Sequence, residues 1–432
     1  MLPAIARRRN VPVASLTIAA VTLLGCGSPD PNDAHLHTSA EPWLSAPTAH
    51  DDGWEVEAPH EAGLDTAILH AMAADLSRGT RYRNVHAVLI AKHERLVYEQ
   101  YLSGEDRRWR NGRIETVSIA FQPDTLHDSR SVGKSITSTL VGLALGSGAI
   151  PSLDTPVVDF FPEHASLVTP TKRRITVRDA LTMSAGLDWN EADLPYTDPL
   201  NDETRMNQQP DPIGFILARD VVSEPGSTWY YNGGLPVLLG VAVSRAVGMP
   251  LGEYARESLF RPLGITDVEW GWPSSWTGVP ELSWNSPRGW AEVVHPAGNV
   301  WLRPRDLAKF GYLFLSDGRW RGDQVLPPGW AGEATRRRLP AGLRVDDRGE
   351  FGYGYFWWHD VYRTDAGDLE VHTAAGNGGQ RVYAIPSLDL LVVVLAGAYN
   401  DPEAFWMPER LLLDYIVPAA RASDADARRP GS

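Results

Sequence analysis

One cysteine and four lysines stand in a chain of 432 residues, and no metal-binding signature accompanies them. Each scarcity excludes something. Cys26 has no partner in its own chain, so no internal disulfide supports the fold. Neither an HExxH stretch nor paired-cysteine spacing occurs, so neither a metal nor another cofactor is expected. The formal charge is −14 without a basic stripe, which removes nucleic acid from the partners. The apolar run from Val13 to Leu24 falls short of the roughly 20 residues that span a bilayer.

The lysine shortage also directs attention to one stretch. Only four of the 40 basic side chains are lysines, so the routine surface cation here is arginine. Lys134 lies in Asp128-Ser129-Arg130-Ser131-Val132-Gly133-Lys134-Ser135, and Val132, Ile136, Leu140 and Leu143 follow with helical spacing. Asp128 or Ser129 caps that helix, and Gly148 with Pro151 ends it. Ser131 and Lys134 then share a face of the first turn, a nucleophile beside a candidate base. Arginine cannot give up its proton in a protein, whereas a desolvated lysine can. For that role the lysine pKa, ~10.4 in a free side chain, must come down toward neutrality through burial and the helix N-terminus. A capped helix with a surface lysine is the plain alternative. Gly133-Lys134-Ser135 also ends like a phosphate-binding loop, but Asp128 fills the slot of the first glycine and would face phosphate.

Arg7-Arg8-Arg9, the apolar run and Leu23-Leu24-Gly25-Cys26 resemble a bacterial lipoprotein signal, removed as residues 1–25. That resemblance implies lipid on Cys26, a membrane partner through the anchor, and export to the cell envelope. Gly27 at the next position is compatible with the periplasmic side of an outer membrane. Residues 26–60 read as a flexible tether rich in Pro, Asp, His, Ser and Ala, in which His35 and His37 are solvated.

Further on, His86–Ala91 and Leu96–Tyr101 read as a hairpin joined by Lys92-His93-Glu94-Arg95, preceded by a helix over 64–77. Gln380–Ile385 and Leu390–Ala396 form a second hairpin, with a closing helix from Pro408 to Ile416. Strands at both ends enclosing a helical middle, Ser131 to about Trp290, describe an α+β fold with an antiparallel sheet and an inserted helical lobe. The catalytic domain is expected over 61–418, with a disordered tail over 419–432.

Two more pieces carry polar chemistry. Trp229-Tyr230-Tyr231-Asn232-Gly233-Gly234 precedes an apolar helix, Leu235–Val247. Tyr230 is placed to relay a proton and Asn232 to orient Lys134, the bland reading being core aromatics before a turn. His372-Thr373-Ala374-Ala375-Gly376-Asn377-Gly378-Gly379-Gln380 leads into the last hairpin as an edge strand able to align a substrate carbonyl. Arg381 fills the last glycine slot of a dinucleotide fingerprint and excludes it. Thr182 breaks a GxSxG elbow around Ser184. Six tryptophans between Trp270 and Trp301 either wall the cleft or form a satellite core.

Taken together, Ser131-Val132-Gly133-Lys134, Tyr230-Tyr231-Asn232 and the late glycine loop resemble the serine β-lactamase and penicillin-binding-protein superfamily on its class C side. The likeness runs from about residue 60 to 418 and implies the β-lactamase/transpeptidase-like fold. It also implies Ser131 as acylated nucleophile, Lys134 as general base, Tyr230 as proton relay and Asn232 as positioning residue. The backbone N–H groups of Ser131 and Asn377 become the oxyanion hole, and Ala374, Ala375 and Gly376 the substrate-binding edge. Where the family often carries Lys-Thr-Gly or His-x-Gly, this chain has Ala374-Ala375-Gly376. The missing cation commonly holds a substrate carboxylate. Its absence favours a neutral small-molecule ester or amide, as in 6-aminohexanoate-dimer hydrolases and related esterases. β-Lactamase or D-alanyl-D-alanine peptidase activity is the alternative, and a non-catalytic envelope binding protein the alternative of another class.

The leader reading has a direct check. A clickable palmitate analogue should label the wild type and leave Cys26→Ala unlabelled; label surviving the substitution would contradict a lipid anchor on that thiol.

Overall fold

Every residue of Val85–Lys92 is buried, as is every residue of Leu390–Ala396, so these strands must be covered on both faces. They pair antiparallel at the centre of a nine-stranded sheet. The computed structural model describes residues 44–110, 113–271, 279–285, 291–340, 349–401 and 406–421. In chain order the sheet's strands are β1 (Glu55–Val56), β2 (Val85–Lys92), β3 (Arg95–Tyr101), β4 (Leu339–Pro340), β5 (Gly349–Tyr353), β6 (Trp358–Thr364), β7 (Gly367–Gly376), β8 (Gln380–Ile385) and β9 (Leu390–Ala396). Their spatial order is β1-β3-β2-β9-β8-β7-β6-β5-β4, all antiparallel except that β1 runs parallel to β3.

Alternation along the strands sorts the core into two layers. Val88, Ile90, Val392 and Val394 face a layer built with Leu69, Met72 and Leu76 of helix α1 (Thr66–Arg78) and with Leu411 and Ile416 near the C-terminus. Ala87, Leu89, Leu391 and Val393 face the opposite layer, to which helix α2 (Val132–Gly146) contributes while packing on β7 and β8. Beyond α2 lies the helical lobe, whose long member is α3 (Gly234–Val247). Helix α4 (Pro304–Tyr312) returns to the sheet beside β9. Thus α2 is sandwiched, and twelve of its fifteen residues are buried, polar ones included, with Ser135 and Thr137 donating to the Phe356 and Pro296 carbonyls.

The two hairpins stand where the sequence puts them. His93 (φ 50°) and Glu94 (φ 64°) form the two-residue turn between β2 and β3, both left-handed as a type I′ turn requires. The domain limits shift outward. Trp54 is buried and Glu55–Val56 pairs with Arg95–Leu96, so the expected tether to residue 60 ends earlier and the folded part starts before 61. At the other end, helix α5 (Met407–Leu411) continues through a π turn, Leu412–Ile416, and stays helical to Arg421. Ala419 and Ala420 are buried, so the expected disordered tail cannot begin at 419. Cys26 and the leader lie outside the described residues, as do Trp272, Trp276 and Trp290. Among the described residues no single helix is long and apolar enough to cross a membrane.

One small sheet positions the chemistry. Val300–Leu302 pairs with His127–Asp128 on one side and with Glu269–Trp270 on the other, fixing the start of α2 against the loop before residue 300.

Candidate active site

A strained turn delivers Ser131. Arg130 sits at φ 51°, left-handed and uncommon for a residue with a side chain. Asp128 holds it there: one carboxylate oxygen accepts the Arg130 backbone N–H at 2.8 Å and the other meets its guanidinium at 3.0 Å. Ser129 donates both its N–H (2.9 Å) and its hydroxyl (2.8 Å) to the Val300 carbonyl. The chain then enters α2 with Ser131 at the N-cap and Lys134 one turn on.

Lys134 is 2% exposed, and its Nζ donates to Ser131 Oγ at 3.1 Å and to the Ala297 carbonyl at 2.9 Å. The Tyr231 ring lies under the same nitrogen, 4.9 Å from centroid to Nζ, and its phenol and the Lys134 ammonium interact electrostatically. Tyr231 stacks on Trp358 of β6 at 6.3 Å and 18°. Two sequence expectations are corrected here. Tyr230 was expected at this place, yet its hydroxyl donates to Asp193 at 2.9 Å and its ring lines a separate cavity with Asn232, Met183 and Asp188. Asn232 was expected to orient Lys134. Instead its N–H points at Met183 Sδ (3.2 Å) and its amide oxygen accepts the Gly234 N–H (2.8 Å), capping α3. The cause is alternation along the non-helical segment 228–233: positions 230 and 232 share one side, and 231 takes the other. The three-residue pattern is legible in the sequence; which tyrosine it delivers depends on that parity.

Charge around Lys134 also departs from expectation. Burial pushes the Lys134 pKa down, but Tyr231, Glu203 and Glu191 outweigh it and hold the pKa above its ordinary value. The resting side chain is an ammonium, not the free amine expected. Both acids went unread in the sequence, where Asn190-Glu191-Ala192-Asp193 and Asp202-Glu203 look like solvated loop. In the fold Glu191 is 1% exposed and accepts from Gly233 N–H (2.6 Å), Trp189 Nε1–H (2.8 Å) and the Tyr196 hydroxyl (3.0 Å). Glu203 hydrogen-bonds Glu191, and burial plus that neighbouring carboxylate push its pKa well up against the pull of Lys134. His295 contributes no charge: burial and the Lys134 ammonium push it down to about 3, and its Nε2 bonds Asn207 Oδ1 at 3.0 Å.

The third piece arrives from the sheet. Gly376 ends β7 against the Ser131 turn so closely that a Cβ there would stand 2.5 Å from the Ser129 carbonyl oxygen. Asn377 follows, clasped to Asn400 by side chain (2.7 Å) and backbone (3.0 Å) bonds. Ser131 and Asn377 line the same cleft, and among the described residues neither backbone N–H has an intramolecular acceptor. Ala375 and Gly376 line it with Tyr231 and Trp358, while Ala374 turns inward to the core. Arg381, opposite Ala375, does not replace the missing cation, because its guanidinium is spent on the Gly376 (3.1 Å) and Gln380 (2.8 Å) carbonyls. Trp270, Trp284 and Trp301 are core residues, not cleft wall, and Trp270 bonds the His295 and Gly298 carbonyls of the loop carrying Ala297. Ser184 is buried against Thr182 Oγ1 at 2.7 Å, a structural hydroxyl.

The sequence pattern named Beta-lactamase matches residues 82–410, three-quarters of the chain and all the elements just described. The chain belongs to the beta-lactamase family. Within it, the chain is 25% identical over 401 residues to 6-aminohexanoate-dimer hydrolase of Paenarthrobacter ureafaciens, covering 88% of this chain and 89% of that one. Esterase EstB of Burkholderia gladioli is 29% identical over 227 residues, 48% of this chain and 53% of that one. Among solved structures, simvastatin synthase from Aspergillus terreus superposes with a TM-score of 0.61 at 19% identity, over 83% of this chain and 99% of the other, which establishes the shared fold. The two sequence relatives are hydrolases by name, one of the 6-aminohexanoate dimer and one an esterase. In this beta-lactamase-family site the two tyrosines should separate cleanly. Tyr231→Phe should lower the single-turnover acylation rate by roughly 100-fold or more, and Tyr230→Phe should change it only a few-fold; the reverse ranking would return the relay to Tyr230.

Proposed function

We propose that the chain is a serine hydrolase that cleaves a neutral ester or amide through an acyl-enzyme on Ser131. The observation that carries this is the buried Lys134 Nζ 3.1 Å from Ser131 Oγ, with the Tyr231 ring against the same nitrogen. Lys134 and Tyr231 act as one coupled unit, since the charge of either sets the proton affinity of the other. After that unit loses one proton, it takes the hydroxyl proton as Ser131 Oγ bonds to the substrate carbonyl carbon. The resulting oxyanion rests between the N–H groups of Ser131 and Asn377, the first of them at the positive end of α2. The unit then returns the proton to the leaving oxygen or nitrogen as its bond to carbon breaks. A water repeats the cycle on the acyl-Ser131 ester.

Substrate charge follows from the cleft walls. Beside Ala375 and Gly376 the titratable lining residues among those described are Glu191, Asp193, Asp401 and two tyrosines, while Arg107 and Arg130 line the other end of the cleft. A carboxylate on that side meets no partner, which favours neutral substrates over β-lactams and peptidoglycan peptides. The hydrolase and esterase names of the two relatives agree with an ester or amide bond as the one cleaved. The proposal extends to location: a lipid on Cys26 would hold the hydrolase at the cell envelope.

Turnover of short-chain p-nitrophenyl esters should exceed that of a chromogenic cephalosporin. Because Lys134 is held above its ordinary pKa, the population able to accept the Ser131 proton grows with pH, so ester acylation should climb from about pH 6 to about pH 9. Equal or faster cephalosporin hydrolysis would overturn the substrate assignment. Absence of turnover on every ester and amide, with no fluorophosphonate adduct, would make the protein a binding module of this fold.

A further inference from the structure

Two clusters of histidine and carboxylate lie outside the cleft among the described residues: His86, Asp106 and His127, and His359, Glu370 and His372. The first is already neutralised, because Arg108 Nε meets Asp106 Oδ2 at 2.8 Å and Tyr399 donates to Asp106 Oδ1 at 2.6 Å. The second has no guanidinium on its carboxylate among the described residues, and its geometry leaves a specific vacancy of charge.

His359 of β6 and His372 of β7 are directly opposed in the antiparallel ladder, and Glu370, two residues before His372, projects from the same face. Both imidazoles turn Nε2 toward one oxygen, Glu370 Oε1, His372 at 3.1 Å and His359 at 3.5 Å. His359 Nδ1 lies 3.0 Å from the Thr335 carbonyl, which can only accept, so Nδ1 carries the hydrogen. A neutral His359 therefore aims the lone pair of Nε2 at a carboxylate oxygen, a repulsive contact unless a cation stands between them. His372 Nε2 lies within hydrogen-bond distance of Glu370 Oε1, 3.1 Å, and its Nδ1 is buried with no partner among the described residues. A ring fixed by an Nδ1–H bond to a carbonyl, with Nε2 turned inward, is the usual outer support of a metal-ligating histidine.

We propose that His359, His372 and Glu370 bind a divalent transition-metal ion of the zinc type. Tetrahedral ligands about 2.0–2.1 Å from zinc stand about 3.3–3.4 Å from one another, and the observed 3.1 and 3.5 Å fall on either side of that value. Two imidazoles with one carboxylate suit zinc, nickel or copper rather than magnesium or calcium. Glu370 is 55% exposed, so the remaining position opens to water. The ion would pin β6 to β7. His372 lies four residues before Gly376, about 13 Å away along the strand, so the metal sits too far off to take part in the Ser131 chemistry. Its effect is to fix the two strands that carry Trp358 and Ala375 to the cleft.

The test is calorimetric titration of zinc chloride into the full chain after chelator treatment, with circular dichroism to verify folding of each variant. Wild type should bind one equivalent, with His359→Ala, His372→Ala and Glu370→Gln each weakening it by about tenfold or more. His359→Gln, which preserves size and a hydrogen bond to Thr335, should lose the metal and keep the fold. Ester turnover should persist in the metal-free wild type and in all four variants. No binding by wild type, or equal binding by wild type and folded variants, would overturn the proposal. A purely protonic cluster gives that result, and so does zinc held elsewhere in the chain.

Discussion

The grip of Asp128 on Arg130 is the constraint from which the site follows. A non-glycine residue in the left-handed region costs about 1–2 kcal/mol, and here a buried carboxylate holds both ends of the residue to keep it there. Because Arg130 turns that way, Ser131 opens α2 at the mouth of the cleft. The same turn is where separate parts of the chain meet. Val300 receives Ser129, Gly298 packs on the Arg130 carbonyl, and Gly376 lies on the Ser129 carbonyl. A Cβ on Gly133 would come within 2.8 Å of the Gly298 Cα, so the approach of that loop depends on small residues on both sides. Ser131, loop and sheet edge are thus placed by backbone contacts, which a mobile side chain could not do.

Electrostatics then sets the surroundings of Ser131. Lys134 is buried but never alone: a phenol, two acids and a carbonyl surround it, and the combined attraction exceeds the cost of desolvation. The two acids do not contribute equally, since the carboxyl of Glu203 is raised by burial and by Glu191 at its side. Neutral His295 and the three donors on Glu191 complete the surroundings without adding a positive charge to compete with Lys134.

How much of this the sequence reveals depends on the range of the cause. Both hairpins, α1, α2 and α3 follow from local periodicity and turn residues, and the structure has them within a few residues. Ser131 and Lys134 were legible for the same reason, three positions apart on one helical turn. Tyr231 was not separable from Tyr230, because outside regular structure the side facing the cleft is set by contacts such as Tyr230 N–H to the Met183 carbonyl, 47 residues away in sequence. Glu191 and Glu203 were invisible, since burial of an acid in a polar loop comes from tertiary packing against Trp189 and Gly233. Loss of the cation at Ala374-Ala375-Gly376 could be read directly, but that Arg381 fails to replace it required knowing that its guanidinium caps strand carbonyls.

The account stands on Ser131 as the atom that carries the acyl group. Acid-quenching the enzyme during ester turnover, digesting it and sequencing the mass-shifted peptide locates that group directly. The acyl mass should map to Ser131 and vanish in Ser131→Ala, with Ser184 unmodified throughout. An adduct on another residue, or undiminished turnover by folded Ser131→Ala, would contradict it.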